Sequence, residues 1–101
     1  MISESKTMLP AFGKSRGKIL FRFDFVEFKR DDQSFYRFHY VAISPPAIRA
    51  RLIDAVIADK YSKSAEIGLI NNRDLDDKGA NEYQEYQTFR AQAKLWIDAA
   101  L

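Results

Sequence analysis

The sequence predicts an α+β domain in which an N-terminal antiparallel β-hairpin is followed by three helices, in the order β-β-α-α-α. Apolar and polar residues alternate from residue 18 to 43, a pattern typical of half-buried strands. An acidic pair, Asp31 and Asp32, divides this stretch in two, and after residue 46 the apolar residues recur at helical spacing. A chain of 101 residues that is 47% apolar has room for one domain with a core.

Residues 1–17 are predicted to form a flexible basic arm that precedes a single domain at residues 18–101. The arm mixes serine, lysine, Pro10 and glycine without any strand or helix periodicity. Gly13, Lys14 and Ser15 resemble the end of a phosphate-binding loop. However, the first glycine of that motif would fall at Met8, and a strand rather than a helix follows. We therefore expect an arm here and no nucleotide site.

The hairpin is predicted from two runs, Lys18 to Lys29 and Ser34 to Ile43, joined by residues 30–33. With the acidic pair at the tip, either in a two-residue turn or in a four-residue loop, one register pairs the aromatic residues with each other. It places two groups of pairs on opposite sides: Phe25 with Phe38, Phe23 with Tyr40 and Phe21 with Ala42 on one, and Phe28 with Phe35, Val26 with Arg37 and Asp24 with His39 on the other.

Three helices are expected after the hairpin. Ser44, followed by two prolines, favours an N-cap and a first helix at about residues 46–60, lying on the Phe21, Phe23 and Phe25 side. Ser62 or Ser64 favours the start of a short second helix that ends at Asn71 and Asn72. A polar loop at residues 73–79 leads to a third helix, from about Asn81 to the C-terminus.

Val26, Phe28, Phe35 and Arg37 form a candidate interaction surface, which we call the hairpin face. In the predicted register these residues lie on the side of the hairpin that the helices do not need. Apolar residues on both sides of a two-stranded sheet indicate a further contact. A protein partner or a second copy of the chain, the N-terminal arm, or a helix would each provide it. The first explanation predicts an oligomer or a complex.

The run from Lys60 to Ile67, the Ile70-Asn71-Asn72 segment and the run from Glu82 to Lys94 resemble those of a group of small prophage-encoded proteins. The likeness extends over residues 18–98. The last helix is also similar, more weakly, to the C-terminal segment of phage tail assembly chaperones. The resemblance implies a non-enzymatic role in virion or tail assembly through protein–protein contacts, and it implies no ligand and no catalytic residue.

An alternative function is binding of nucleic acid as an accessory protein. Lys14, Arg16, Lys18 and Arg22 would contact phosphates beside the aromatic hairpin. The net charge of +2 is small, and acidic residues of the hairpin dilute the positive field.

The composition argues against several other classes of function. There is no cysteine, and the single histidine makes the usual zinc sites improbable. Asp24 opposite His39 is expected to be a surface ion pair rather than a catalytic pair, because no nucleophile signature accompanies it. We predict no catalytic residue, metal or cofactor, no membrane partner, and a location in the cytoplasm or in a virion.

Overall fold

The computed structural model describes all of residues 1–101 as a four-stranded sheet covered on one side by helices. The chain order is β-β-β-β-α-α-α. The elements are β1 (Ile2–Ser5), β2 (Phe12–Ser15), β3 (Lys18–Arg30), β4 (Gln33–Ile43), α1 (Arg49–Lys60), α2 (Lys63–Asn72) and α3 (Asp77–Ala100).

The strands are all antiparallel and lie in the order β1-β4-β3-β2. The α+β class and the central hairpin are confirmed, but the predicted number of two strands was wrong. Residues 1–17, where the sequence predicts an arm, supply both edge strands. Each edge strand has four residues, rich in serine or interrupted by glycine, so neither carries the alternating apolar pattern that reveals a strand.

The segment from Lys6 to Ala11 joins the two edge strands by crossing the sheet on the side opposite the helices. Its path is fixed by Arg22, whose main-chain N–H donates to the Ala11 carbonyl at 2.7 Å. The Arg22 guanidinium also donates to the Pro10 carbonyl at 3.0 Å. Under this segment Phe38 is only 4% exposed and packs against Phe25, with ring centroids 5.4 Å apart. The N-terminal segment therefore folds back over the Phe25 and Phe38 side of the hairpin, and not over the hairpin face.

A β-bulge between Phe23 and Val26 changes which residues share a face. From the bulge to the tip the predicted pairs are confirmed, including Val26 with Arg37 and Phe28 with Phe35. On the other side of the bulge the predicted register was wrong by one residue, since Phe23 pairs with His39 and Phe21 with Val41. Asp24 takes a positive φ of 55° there, a conformation that aspartate tolerates better than most residues.

The bulge places Phe28 and Phe35 on the same side of the sheet as Phe21 and Phe23, and not on the opposite side as predicted. Strand β4 has no irregularity, so Phe35 and Val41 face the same way because side chains alternate along a strand. The covered part of this side holds the hydrophobic core. Its fully or nearly fully buried members are Phe21, Phe23, Val41, Ile43, Leu52, Val56, Ile57, Tyr86, Ala93 and Ile97.

Two of the three helices, α1 and α3, begin at residues other than those predicted. Helix α1 begins at Arg49 with Ile48 as its N-cap, and not after Ser44, because the two prolines are followed by extended backbone. Helix α2 has the first of the two predicted caps, in which the Ser62 hydroxyl accepts from the Ala65 N–H. Helix α3 begins earlier than predicted, because the Asp76 carboxylate accepts from the Gly79 N–H at 2.7 Å and starts the helix inside the polar loop.

Two polar contacts tie the helices to one another. Arg49 donates to Asp98 at 2.7 Å, and this hydrogen bond holds the pKa of the Asp98 carboxyl below its usual value. The Tyr86 hydroxyl donates to Glu66. Burial is the main cause that raises the pKa of Tyr86, and this hydrogen bond adds to it. None of the helices combines the length and the apolar character that crossing a membrane requires.

Candidate functional site

The hairpin extends well beyond the part of the sheet that the helices cover. The molecule measures 47 × 37 × 21 Å, and its radius of gyration is 15.8 Å. A compact domain of this length has a radius of gyration of about 13 Å. The predicted turn at the tip is confirmed in its two-residue form, since Asp31 and Asp32 have φ angles of 52° and 63°. The tip therefore stands out as a narrow, well-formed ribbon.

The structure brings the four residues of the hairpin face together on this projecting part. The rings of Phe28 and Phe35 stack with centroids 5.7 Å apart. Both are half-buried, whereas Val26 is 53% exposed beside them. Val26 pairs with Arg37 directly across the hairpin. Because no ring contact of Phe28 or Phe35 involves a helix residue, the aromatic pair remains open to the surroundings on one side.

Two arginines cover the edges of the aromatic pair. The guanidinium of Arg37 lies 5.1 Å from the centre of the Phe28 ring. That of Arg30 lies 5.4 Å from Phe28 and 5.6 Å from Phe35. Glu4 of β1 is within ion-pair distance of both guanidinium groups, at 3.8 Å from Arg30 and 3.5 Å from Arg37. One carboxylate thus offsets part of the charge of two arginines, and the hairpin face keeps a net positive charge.

A groove of about 660 Å³ continues the same side of the sheet towards the helices. Phe23 and His39 line its floor, and Phe89 and Trp96 of α3 line its far wall. The Phe23 and Trp96 rings are 5.1 Å apart, and the Lys60 ammonium lies 4.6 Å from the centre of the Phe89 ring. The hairpin face and this groove lie on the same side of the sheet and form a largely aromatic surface. Its cationic groups at Arg30, Arg37, Lys60 and the N-terminal amine stand beside the carboxylates of Glu4, Asp24 and Asp59, which leaves a small positive excess.

The Asp24 and His39 pair lies in the groove. The carboxylate and Nε2 are 3.9 Å apart, which is longer than the hydrogen bond of a base and the group that orients it. The lining residues of the groove carry no hydroxyl or thiol group. No group of three or more histidine, aspartate or glutamate side chains lies close enough together to hold a metal ion. The geometry is that of a loose, partly exposed contact between a carboxylate and an imidazole, formed next to the bulge.

The four candidate nucleic-acid contacts are divided between two places. Lys14, Arg16 and Lys18 lie together at the exposed turn between β2 and β3. Arg22 does not join them, because its guanidinium hydrogen-bonds to Pro10 and lies 5.9 Å from the centre of the Phe38 ring. The basic patch therefore has three of its four predicted members.

Sequence reasoning missed several residues of this surface. Arg30 was assigned only to the turn, although its position two residues after Phe28 places it on the same face. Glu4 gave no signal, because its strand has no alternating pattern. Phe89 and Trp96 recur at helical spacing in the sequence of α3, and that spacing does not indicate that their rings border a groove.

Comparison of the chain with protein-family models, with curated proteins and with solved structures gave no match.

Proposed function

We propose that this is a non-enzymatic interaction protein that binds another protein through the hairpin face. The observation that carries the proposal is the stacked pair of Phe28 and Phe35 on a projecting ribbon, next to the exposed Val26. Aromatic side chains that are rigidly held and partly open to water are the usual anchors of protein interfaces. A ribbon that stands away from the helices also lets a partner approach from more than one direction.

The charge on this surface favours a partner segment that combines apolar with acidic residues. The positive excess lies at the hairpin face, where Arg30 and Arg37 share a single carboxylate, Glu4; in the adjoining groove Asp24 and Asp59 offset Lys60 and the N-terminal amine. Complementary charge at the edge of an aromatic contact directs association and sets the orientation of the partner. The resemblance of residues 18–98 to small prophage proteins favours virion or tail assembly as the setting.

The proposal is tested by comparing the proteins retained from an extract of the source cells by three purified baits. These are the unaltered chain, Phe28→Asp and Leu75→Asp. Leu75 is a matched control, since it is 74% exposed and lies between α2 and α3, away from the hairpin. We expect a partner that the unaltered chain and Leu75→Asp retain and that Phe28→Asp loses at least tenfold, because a carboxylate inside an apolar contact cannot be solvated.

The same experiment addresses binding of nucleic acid as the second candidate function. Its support is the close placement of Lys14, Arg16 and Lys18 at one turn. Binding that disappears after nuclease treatment and that weakens steeply with salt would favour this alternative. Retention of the same proteins by Phe28→Asp, or of none by the unaltered chain, would overturn the interaction proposal.

A further inference from the structure

Strand β3 has a free edge along the projecting part of the hairpin. Strand β2 pairs with β3 up to Phe21, and the main-chain contact of Ala11 with Arg22 extends this pairing by one residue. From Phe23 to Lys29 no strand lies on that side of β3. Main-chain N–H and C=O groups on a free edge can pair with another strand. The bulge at Asp24 and the turn at Asp31 mark the two ends of this edge.

The residues whose main-chain groups point outward from this edge can be identified. A two-residue turn is closed by hydrogen bonds between its flanking residues, so Arg30 and Gln33 form a hydrogen-bonded pair. Such pairs alternate along an antiparallel ladder, which makes Phe28 with Phe35 the next one. The N–H and C=O groups of Glu27 and Lys29 therefore point away from β4, towards the free edge.

The order of side chains on this edge is complementary to itself. Glu27 and Lys29 stand on either side of Phe28. In an antiparallel pair of two β3 strands centred on Phe28, Glu27 of each copy faces Lys29 of the other. Both of these pairs join residues whose main-chain groups point outward. Neither side chain takes part in an ion pair within its own chain.

Other symmetric registers of the same edge are less favourable. A pair centred on Glu27 would place the two Glu27 carboxylates opposite each other, and like charges directly across a ladder are destabilising. A pair centred on Val26 would leave Glu27 opposite the apolar Phe25. Only the register centred on Phe28 joins opposite charges, and it also places the two Phe28 rings next to each other.

We propose that two copies of this chain associate by antiparallel pairing of their β3 edges, centred on Phe28, to form one continuous sheet across a two-fold axis. The axis is perpendicular to the sheet, so the hairpin faces of both copies lie on the same side. At the end of the free edge, an open groove of about 500 Å³ between β3 and α3 leaves room for the turn of the second copy. This inference concerns the edge, and it holds whether or not the hairpin face binds a further protein.

The first test uses reversal of charge, measured by sedimentation equilibrium at low ionic strength. We expect the unaltered chain to show twice the 11.7 kDa mass of one copy. Glu27→Lys and Lys29→Glu should each weaken the association by about tenfold or more, because each places like charges in two symmetric pairs. The double variant Glu27→Lys with Lys29→Glu should restore it. Both side chains are exposed, so these changes leave the fold intact, as circular dichroism will verify.

The second test uses the absence of cysteine from the chain and determines the register directly. Phe28→Cys should form a disulfide-linked dimer on mild oxidation, because residues that face each other across the axis are within disulfide reach. Val26→Cys should not, because its two copies would be separated by about 13 Å along the strands.

A monomeric unaltered chain, a double variant that does not recover, or cross-linking at position 26 in place of position 28 would overturn the proposed dimer. These outcomes are separate from failure of the interaction proposal. That failure appears as partner binding insensitive to Phe28→Asp. Because Phe28 also lies at the dimer axis, the dimer is judged from the charge variants at Glu27 and Lys29, which lie on the opposite side of the ribbon from the hairpin face.

Discussion

Single residues in unusual backbone or packing positions set the geometry of this protein. Asp24 holds the bulge with a φ of 55°, and this one residue decides that the hairpin face and the groove lie on the same side. Gly79 has a comparable role between the helices. A methyl group on Gly79 would lie 2.0 Å from the Asn72 carbonyl oxygen, so α2 and α3 approach each other only because this residue lacks a side chain.

Replacing Gly79 by alanine should destabilise the domain by about 2 kcal/mol or more, because the new methyl group meets main-chain atoms that cannot move away. Gly68→Ala is the matched control. No atom lies within 4 Å of the position of its new methyl group, and alanine in helix α2 should stabilise by up to about 1 kcal/mol. Urea unfolding of both variants gives the comparison, and equal effects of the two changes would contradict this account of the helix contact.

The elements with strong periodicity could be predicted from the sequence, and those that depend on distant partners could not. The hairpin and the three helices follow from alternation, helical spacing and the Ser62 cap. Strand β1 could not be found, because Ile2–Ser5 forms a strand only by pairing with β4. The bulge also escaped prediction, since a two-residue period continues through Phe25 and gives no sign of the change in register.

In the candidate site, too, local features could be predicted from the sequence and features that depend on distant residues could not. Pairing of Val26 with Arg37 and of Phe28 with Phe35 follows from local register alone, and these pairs were predicted. The groove lined by Phe89 and Trp96 depends on where α3 crosses the sheet, which is a tertiary property with no local signature.

Substitutions in the turn at the tip should stabilise the hairpin formed by β3 and β4. Both Asp31 and Asp32 have positive φ angles, which aspartate adopts at a cost and which asparagine and glycine adopt more readily. The double variant Asp31→Asn with Asp32→Gly should therefore raise the free energy of unfolding by roughly 1 kcal/mol.

Gly17→Ala should instead destabilise a turn, the one between β2 and β3. Gly17 has a φ of 77°, and no atom lies within 4 Å of an added methyl group, so only backbone strain is introduced. It should destabilise by about 1 kcal/mol. Thermal unfolding monitored by circular dichroism checks both variants, and a lower midpoint for the tip variant would contradict the assigned turn.

The whole molecule depends on its N-terminal residues although they contribute little to the main core. The segment from Lys6 to Ala11 covers Phe38, and β1 closes the outer edge of β4. The sheet is therefore packed on both sides, by helices on one and by an extended segment on the other.

Deletion of residues 1–10 should lower stability by at least about 2 kcal/mol, because Phe38 loses its cover and β4 loses a strand partner. Met8→Ser is the matched control. Met8 is 56% exposed within the crossing segment, and its replacement should change stability by less than about 0.5 kcal/mol. Urea unfolding followed by tryptophan fluorescence reports on Trp96 next to Phe23. A deletion variant as stable as the full chain would show that these residues are dispensable.

The path of the crossing segment has a consequence for biosynthesis. Strand β2 pairs with the β3 residues that follow it across a two-residue turn, so this contact is local in the sequence. Strand β1 pairs with residues 36–39 of β4, so it has no strand partner until those residues have left the ribosome. The segment before β2 must then cross a hairpin that has already formed before β1 can pair with β4. Pairing of β1 with β4 is in this way expected to be the last step in forming the sheet.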